Sequence, residues 1–321
     1  MFNRKVKLNY IARRILQLIP IIIGITFMSF ALMRTTNSDV VDILLDNNGS
    51  ILSEEIIAQK KEELGLNRPF IIQYLSWLTH FLQGDMGVSY VSKVSVFDTF
   101  ISKLPNTLLL TFSSIVLTMI ISIPLGILSA IKQNSFIDYL IRFISFVGNA
   151  MPNFFVSLIL LLIFAVKLSW LPVIGNSSDI KSLFLPTLTL AIAMSSKYIR
   201  QVRAVILDEL QKDYVIGARA RGVKESVIIL RNVLKVAMLP IITLLSLSIG
   251  SLLGGTAIVE TIFMWDGVGK MAVDAVMLRD NPVLLAYVVW MAIIYVVINL
   301  INDIFYYYLD PRVRMNQESH S

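Results

Sequence analysis

Six long apolar runs divide this 321-residue sequence, and its charged residues are collected in the segments between them. The runs are Ile15 to Met33, Leu104 to Ile131, Phe143 to Val166, Leu185 to Ser196, Met238 to Val259 and Val283 to Ile301. Charged residues make up 16% of the chain, against about 25% in a typical soluble domain. About 20 consecutive apolar residues suffice to cross the hydrocarbon of a bilayer as a helix. The pattern predicts an all-α integral membrane protein with six transmembrane helices. The fourth run is short for a crossing and reaches the needed length if Tyr198 and Ile199 continue its helix. Pro124 and Pro152 lie inside their runs, a placement that membrane helices tolerate.

The first run follows Arg4, Lys5, Lys7, Arg13 and Arg14, as a secretory signal would. Signal cores span only about 7–15 residues and end at a small-residue cleavage site. This run is longer and leaves through Arg34-Thr35-Thr36-Asn37, which predicts an uncleaved first span. The expected organisation is a cytoplasmic N-terminus with first helix (1–34), a small extracytoplasmic insert (35–103), a core of five helices (104–305) and a cytoplasmic tail (306–321). Within the insert, Ser53-Glu54-Glu55 reads as a helix start and Tyr74 to Phe81 as an aromatic segment, so one or two short helices are expected.

Six spans put both termini on one side. If that side is the cytoplasm, inside segments hold 18 Lys and Arg and outside segments 10, while acidic residues split 8 inside and 14 outside. The Lys/Arg bias is the operative orientation signal and places both termini in the cytoplasm. It also accounts for the net charge of +6 without nucleic acid.

Several functions are excluded. There is no cysteine, and His80 and His320 are the only histidines, so thiolate chemistry and histidine metal clusters are ruled out. The centres of the spans carry no charge; Lys167, Lys197, Arg200 and Asp303 lie near span ends, where long side chains reach the interface. The rival reading is a self-sufficient carrier or channel; an ion-coupled carrier would be expected to show an intramembrane carboxylate or comparable polar site. Gly267-Val268-Gly269-Lys270 fails as a phosphate loop because Met264 and Met271 stand where Gly and Ser/Thr are required. No nucleophile and base pair suggests an intramembrane enzyme. What remains is a passage with no cofactor of its own, either energised from elsewhere or passive.

The longest inside segment, 197–235, carries Leu207, Leu210, Tyr214 and Ala218 at helical spacing, then Gly222 and a second apolar-basic stretch to Lys235. An amphipathic connector lying on the lipid surface and a docking element for a cytoplasmic partner fit this pattern equally.

Asp213-Tyr214, Ala218-Arg219-Ala220-Arg221-Gly222, Arg231-Asn232 and Leu239-Pro240 together resemble the coupling loop of ABC importer permeases, in the dipeptide, oligopeptide and nickel branch. The resemblance runs over nearly the whole chain. It includes Arg13-Arg14 before Leu18-Ile19-Pro20, Leu64-Gly65-Leu66, Gly84-Asp85-Met86-Gly87, Pro105-Asn106-Thr107, Met151-Pro152-Asn153-Phe154, Trp170-Leu171-Pro172, Val259-Glu260, Arg279-Asp280 and Asp310-Pro311-Arg312. Two departures are Asn37-Ser38-Asp39 in place of Pro-Gly-Asp and Trp265-Asp266-Gly267 in place of Trp-Pro-Gly.

The resemblance implies the type I importer permease fold in a bacterial cell membrane. It further implies a heterodimer with a second, similar permease, two ATP-binding subunits that hold ATP-Mg, and an extracytoplasmic solute-binding protein. By family position, Asp213, Tyr214, Ala218, Arg219 and Gly222 are expected to couple the ATPases to the passage. The substrate class implied is peptides or nickel complexes. Asn149, Asn153 and Thr256 are candidates for the passage lining, although polar residues in spans serve equally as links between helices.

Overall fold

The computed structural model describes residues 4–35, 62, 67–175 and 179–309. Asn37-Ser38-Asp39, Ser53-Glu54-Glu55, Leu64-Gly65-Leu66 and Asp310-Pro311-Arg312 lie outside the described residues. Among the described residues the regular structure is helical, apart from one isolated antiparallel bridge between Val88 and Ser95. In chain order the helices are α1 (Arg4–Thr35), α2 (Phe70–Leu82), α3 (Val96–Ile131), α4 (Phe136–Ala150), α5 (Asn153–Leu160), α6 (Ile180–Leu210), α7 (Asp213–Ala220), α8 (Glu225–Val227), α9 (Leu234–Ile262), α10 (Val268–Met277) and α11 (Asn281–Leu309). Wider π-helical turns extend α5 over Leu161–Lys167 and join α8 to α9 over Ile228–Val233.

α3, α6, the run from α8 into α9, and α11 are each long and apolar enough to cross a membrane. α4 and α5 meet that measure only as a pair, bent by 103°. The expectation of one uninterrupted span over Phe143 to Val166 is corrected here. The pyrrolidine ring of Pro152 disfavours helical geometry at the preceding residue, and Met151 takes φ −83°, ψ 128°. Pro152 therefore starts α5 as its N-cap, with its carbonyl accepting from the Phe155 and Val156 amides. The fourth run is longer than its apolar core, since α6 continues through Tyr198 and Ile199 to Leu210. The outer faces carry large apolar side chains such as Phe112 (68% exposed) and Ile120 (63%). Water would oppose that exposure, whereas acyl chains solvate it.

Packing divides the chain into two units, residues 1–105 with 267–297, and residues 106–266 with 298–321. In the first unit, α2 presents Phe70, Tyr74, Trp77 and Phe81 on one stripe. Tyr74 packs edge-on against Phe27 of α1 at 5.3 Å, and its hydroxyl lies 2.9 Å from Thr26 Oγ1. The described helix of the predicted insert is thus built onto α1. After α2, Gly84-Asp85-Met86-Gly87 forms a tight turn with φ of +85° at Gly84 and +80° at Gly87. The turn sends Met86 into the core, where Trp290 Nε1 donates to its sulfur at 3.0 Å and stacks on Phe100. Asp280 closes the same unit by accepting from Ser89 Oγ at 2.5 Å and from the Tyr90 amide at 3.1 Å.

In the second unit α6 is the buried helix, packed against α4, α5 and α9. Its enclosed faces use small and hydroxyl residues: Ser182, Thr187, Thr189, Ser195 and Ser196 are all buried. Thr189 and Ser196 turn their hydroxyls back onto the Leu185 and Ile192 carbonyls. Small residues also let the backbones approach. A Cβ at Gly126 of α3 would stand 2.6 Å from Val202 Cβ, and one at Gly148 of α4 would overlap Ser196 Oγ.

Candidate functional site

The segment expected to couple to a partner lies at the foot of α6. That helix ends at Leu210, and α7 begins after Gln211 and Lys212, with the Lys212 carbonyl accepting from Val215 and Ile216. The expected helix through Leu207 to Ala218 is therefore two helices with a break at Gln211-Lys212. Asp213 occupies the first turn of α7 and is exposed, where its charge opposes the positive end of the helix dipole.

Gly222 ends α7 with φ +75°. Its amide donates to Arg219 O at 2.9 Å and the next amide, of Val223, donates to Ala218 O at 3.2 Å. Those two bonds form the left-handed glycine C-cap, in which an apolar residue beyond the glycine packs back on the last turn. Val223 makes that contact, against the cluster containing Ala218, Val215, Ile206, Ile228 and Val233.

The apolar ridge read from the sequence is turned inward for the most part: Ala218 and Val215 are buried, and Leu207 and Leu210 pack against the same cluster. An eight-residue helix is not stable alone, so its apolar stripe is used to hold it to α6 and the π-helical turn. The outward face instead offers Asp213, Ile216, Arg219 and Ala220, with Leu230 nearby in sequence on the second limb. Tyr214 is partly exposed; its hydroxyl donates to Glu209 at 2.9 Å. Burial and the Glu209 carboxylate raise the phenol to about 12, so it stays neutral at physiological pH.

Arg219 reaches across the Gly222 turn to Glu225, with bonds of 3.0 and 2.5 Å. Arg219 holds the Glu225 carboxyl below its ordinary range. A depressed carboxylate contributes stability above its unfolded value, about 4.3, and loses it as pH falls through the lower folded value. Both side chains are nearly half exposed, so the pair is worth less than about 1 kcal/mol.

Sequence reasoning missed a buried ion pair one layer above. Asp138, at the start of α4, is completely buried and takes two bonds of 2.8 Å from Arg203 of α6. It also accepts from Ser129 Oγ at 2.5 Å and from the Asn134 amide at 3.0 Å. In the sequence Asp138 reads as one more charge between two apolar runs. Its only sequence signal was its position three residues after Ser135, the N-cap of α4.

The candidate passage residues lie on α4, α5 and α9. Asn149 is exposed near the end of α4, and Asn153 is half-buried at the start of α5, so both flank the bend. Thr256 is fully buried in α9 and donates to Leu253 O. Other motif residues converge: Thr107 Oγ1 donates to the buried Glu260 at 2.7 Å, and Trp265 Nε1 donates to Asn106 O at 3.0 Å. Asn106 Nδ2 in turn donates to Asp266 O at 2.7 Å, a carbonyl that a proline at 266 would present equally. Among the described residues no group of acidic residues or histidines could hold a metal ion.

Residues 122–315 match the family described as binding-protein-dependent transport system inner membrane component, and residues 7–111 match its N-terminal counterpart. The chain belongs to this family. It is a membrane permease subunit of an ABC importer, and ATP hydrolysis takes place on separate subunits. The self-sufficient carrier is set aside on that ground. Among similar proteins, the oligopeptide transport system permease protein AppB of Bacillus subtilis is 43% identical over 95% of this chain and 98% of its own length. The metal-staphylopine import system permease protein CntB of Staphylococcus aureus is 36% identical, with the same coverage of 95% and 98%. The glutathione transport system permease protein GsiC of Salmonella typhimurium is 35% identical over 96% of this chain and 99% of its own. The fold is shared with a chain of the MetNI methionine ABC transporter, with a TM-score of 0.55 at 16% identity, covering 66% of this permease and 96% of that chain.

Proposed function

We propose that this permease pairs with a second, homologous permease to enclose the passage, with two ATP-binding subunits below and an extracytoplasmic binding protein above. Six spans, both termini in the cytoplasm and a small outside insert complete the proposed topology, which the Lys/Arg distribution supports. The observation that carries the mechanism is α7, closed by Gly222 and packed through Val215 and Ala218 onto α6 and the π-helical turn before α9.

A push on the outer face of α7 by a closing ATPase passes into two long helices instead of being lost in a slack loop. Asp213, Arg219 and Tyr214 are the polar contacts offered there, while Ala218 and Gly222 hold the shape. From α6 the displacement reaches α4 through the Arg203–Asp138 pair. α4 ends at the bend flanked by Asn149 and Asn153, and on this reading those two residues face the passage. Thr256 supports the wall from within α9. Alternation between inward- and outward-facing states is then a movement of packed helices about the bend.

The substrate class is short peptides or metal chelates, nickel complexes included. The names of the relatives run from oligopeptide to metal-staphylopine, and the 43% identity to an oligopeptide permease favours peptides. Calorimetry on the partner binding protein with short peptides and with nickel chelates tests this. Peptide binding alone is expected, and exclusive chelate binding would contradict it.

A further inference from the structure

α4 and α6 pack together in the second unit, and a groove of about 390 Å3 lies there, lined by Tyr139, Arg142, Phe143, Phe146 and Arg200. The helix pair carries three arginines and sorts them. Arg203 is committed to Asp138. Arg142, one turn beyond Asp138 on α4, and Arg200, one turn before Arg203 on α6, are both exposed, and neither forms an ion pair with a described residue. The Arg142 guanidinium lies over the Tyr139 ring at 5.6 Å, which steadies it without neutralising it.

The remainder of the groove is aromatic. Tyr139, Phe143 and Phe146 are 56%, 64% and 65% exposed. Phe146 lies one turn, about 6 Å, further along α4 than Arg142. One end of the groove is thus doubly cationic and the other is apolar. A free inorganic anion gains nothing from the phenylalanines, and a purely apolar helix leaves two cations unpaired. A molecule with a phosphodiester at one end and acyl chains at the other satisfies both halves.

The geometry points to a binding site for an anionic phospholipid, its phosphodiester between Arg142 and Arg200 and its chains along Phe143 and Phe146. Basic pockets between membrane helices on the cytoplasmic side take such headgroups, and snorkelling arginines reach the headgroup level from within a helix. The choice of leaflet rests on the topology proposed above; the chemistry of the site does not.

The test is native mass spectrometry of the assembled importer after exchange into mixed phosphatidylglycerol and phosphatidylcholine. Selective retention of phosphatidylglycerol is expected. It should fall roughly twenty-five-fold in the Arg142→Gln/Arg200→Gln variant, at about fivefold per arginine, and persist largely in the Arg142→Lys/Arg200→Lys variant. Equal retention of both lipids, or unchanged retention in the double Gln variant, would overturn the site. So would displacement of the lipid by inorganic phosphate, which would indicate a free-anion site. Loss of the second permease from the double Gln variant would equally overturn it, because the face would then belong to the partner chain. Labelling of an Asn134→Cys variant from the outer face would refute the topology, yet selective retention would still support the lipid site in the other leaflet.

Discussion

Nothing lies within 4 Å of where a Cβ would stand at Gly222, so only its φ of +75° restricts what can replace it. Left-handed geometry costs an ordinary residue about 1–2 kcal/mol, and asparagine tolerates it best after glycine. Uptake should therefore decline in the order Gly222, Gly222→Asn, Gly222→Ala, measured in proteoliposomes at matched insertion. A decline that tracked side-chain volume instead would point to a partner contact at that position. The Asp138–Arg203 pair makes a separate prediction. Leaving one buried charge alone costs about 3–5 kcal/mol, so Arg203→Gln should lower the thermal midpoint of the purified complex far more than Arg219→Gln. The Asp138→Asn/Arg203→Gln double variant should recover part of that loss. These two sites differ in legibility. Gly222 stood out because a glycine between two helical patterns has few explanations other than a turn. Asp138 did not, because its partner is 65 residues away in sequence and a lone aspartate near a helix start already has a local reason to be there.

At the level of helices, hydropathy located the four long apolar helices and the bent pair but missed the bend. The apolar core of α6 is short because a helix largely packed against protein can carry hydroxyl and charged residues, and its continuation through Tyr198 and Ile199 supplies the length that the sequence required. The α4–α5 run read as too continuous because Pro152 leaves the apolar composition unchanged while ending the helix. The close approach of α3 to α6 gives a test. Gly126→Ala would press a methyl against Val202 Cβ, which is fixed to the backbone, and should cost roughly 1–3 kcal/mol. Gly148→Ala meets the Ser196 hydroxyl, which can rotate aside, and should cost less. Thermal midpoints of the two variants in the same complex decide the order; a reversed order would mean that α3 and α6 are not packed as described.

For the molecule as a whole, charge counting gave an orientation, and motif order gave the family that the comparisons establish. The passage was not legible, because Asn149, Asn153 and Thr256 were chosen for polarity in apolar runs, and polarity does not distinguish a lining residue from one bonded to its own helix, as Thr256 is. Because the sequence contains no cysteine, single cysteines report topology directly. Asn134→Cys should be labelled by an impermeant maleimide only from the cytoplasmic side, and the reverse would invert the proposed topology. The account's central claim is that this permease is moved by ATPases acting on α7. Its most direct test is ATP hydrolysis and solute uptake measured together in proteoliposomes containing the assembled importer, with Gly222 intact or replaced by alanine. The prediction is hydrolysis that continues while uptake falls severalfold in Gly222→Ala; uptake at the full rate per ATP in that variant would contradict the account.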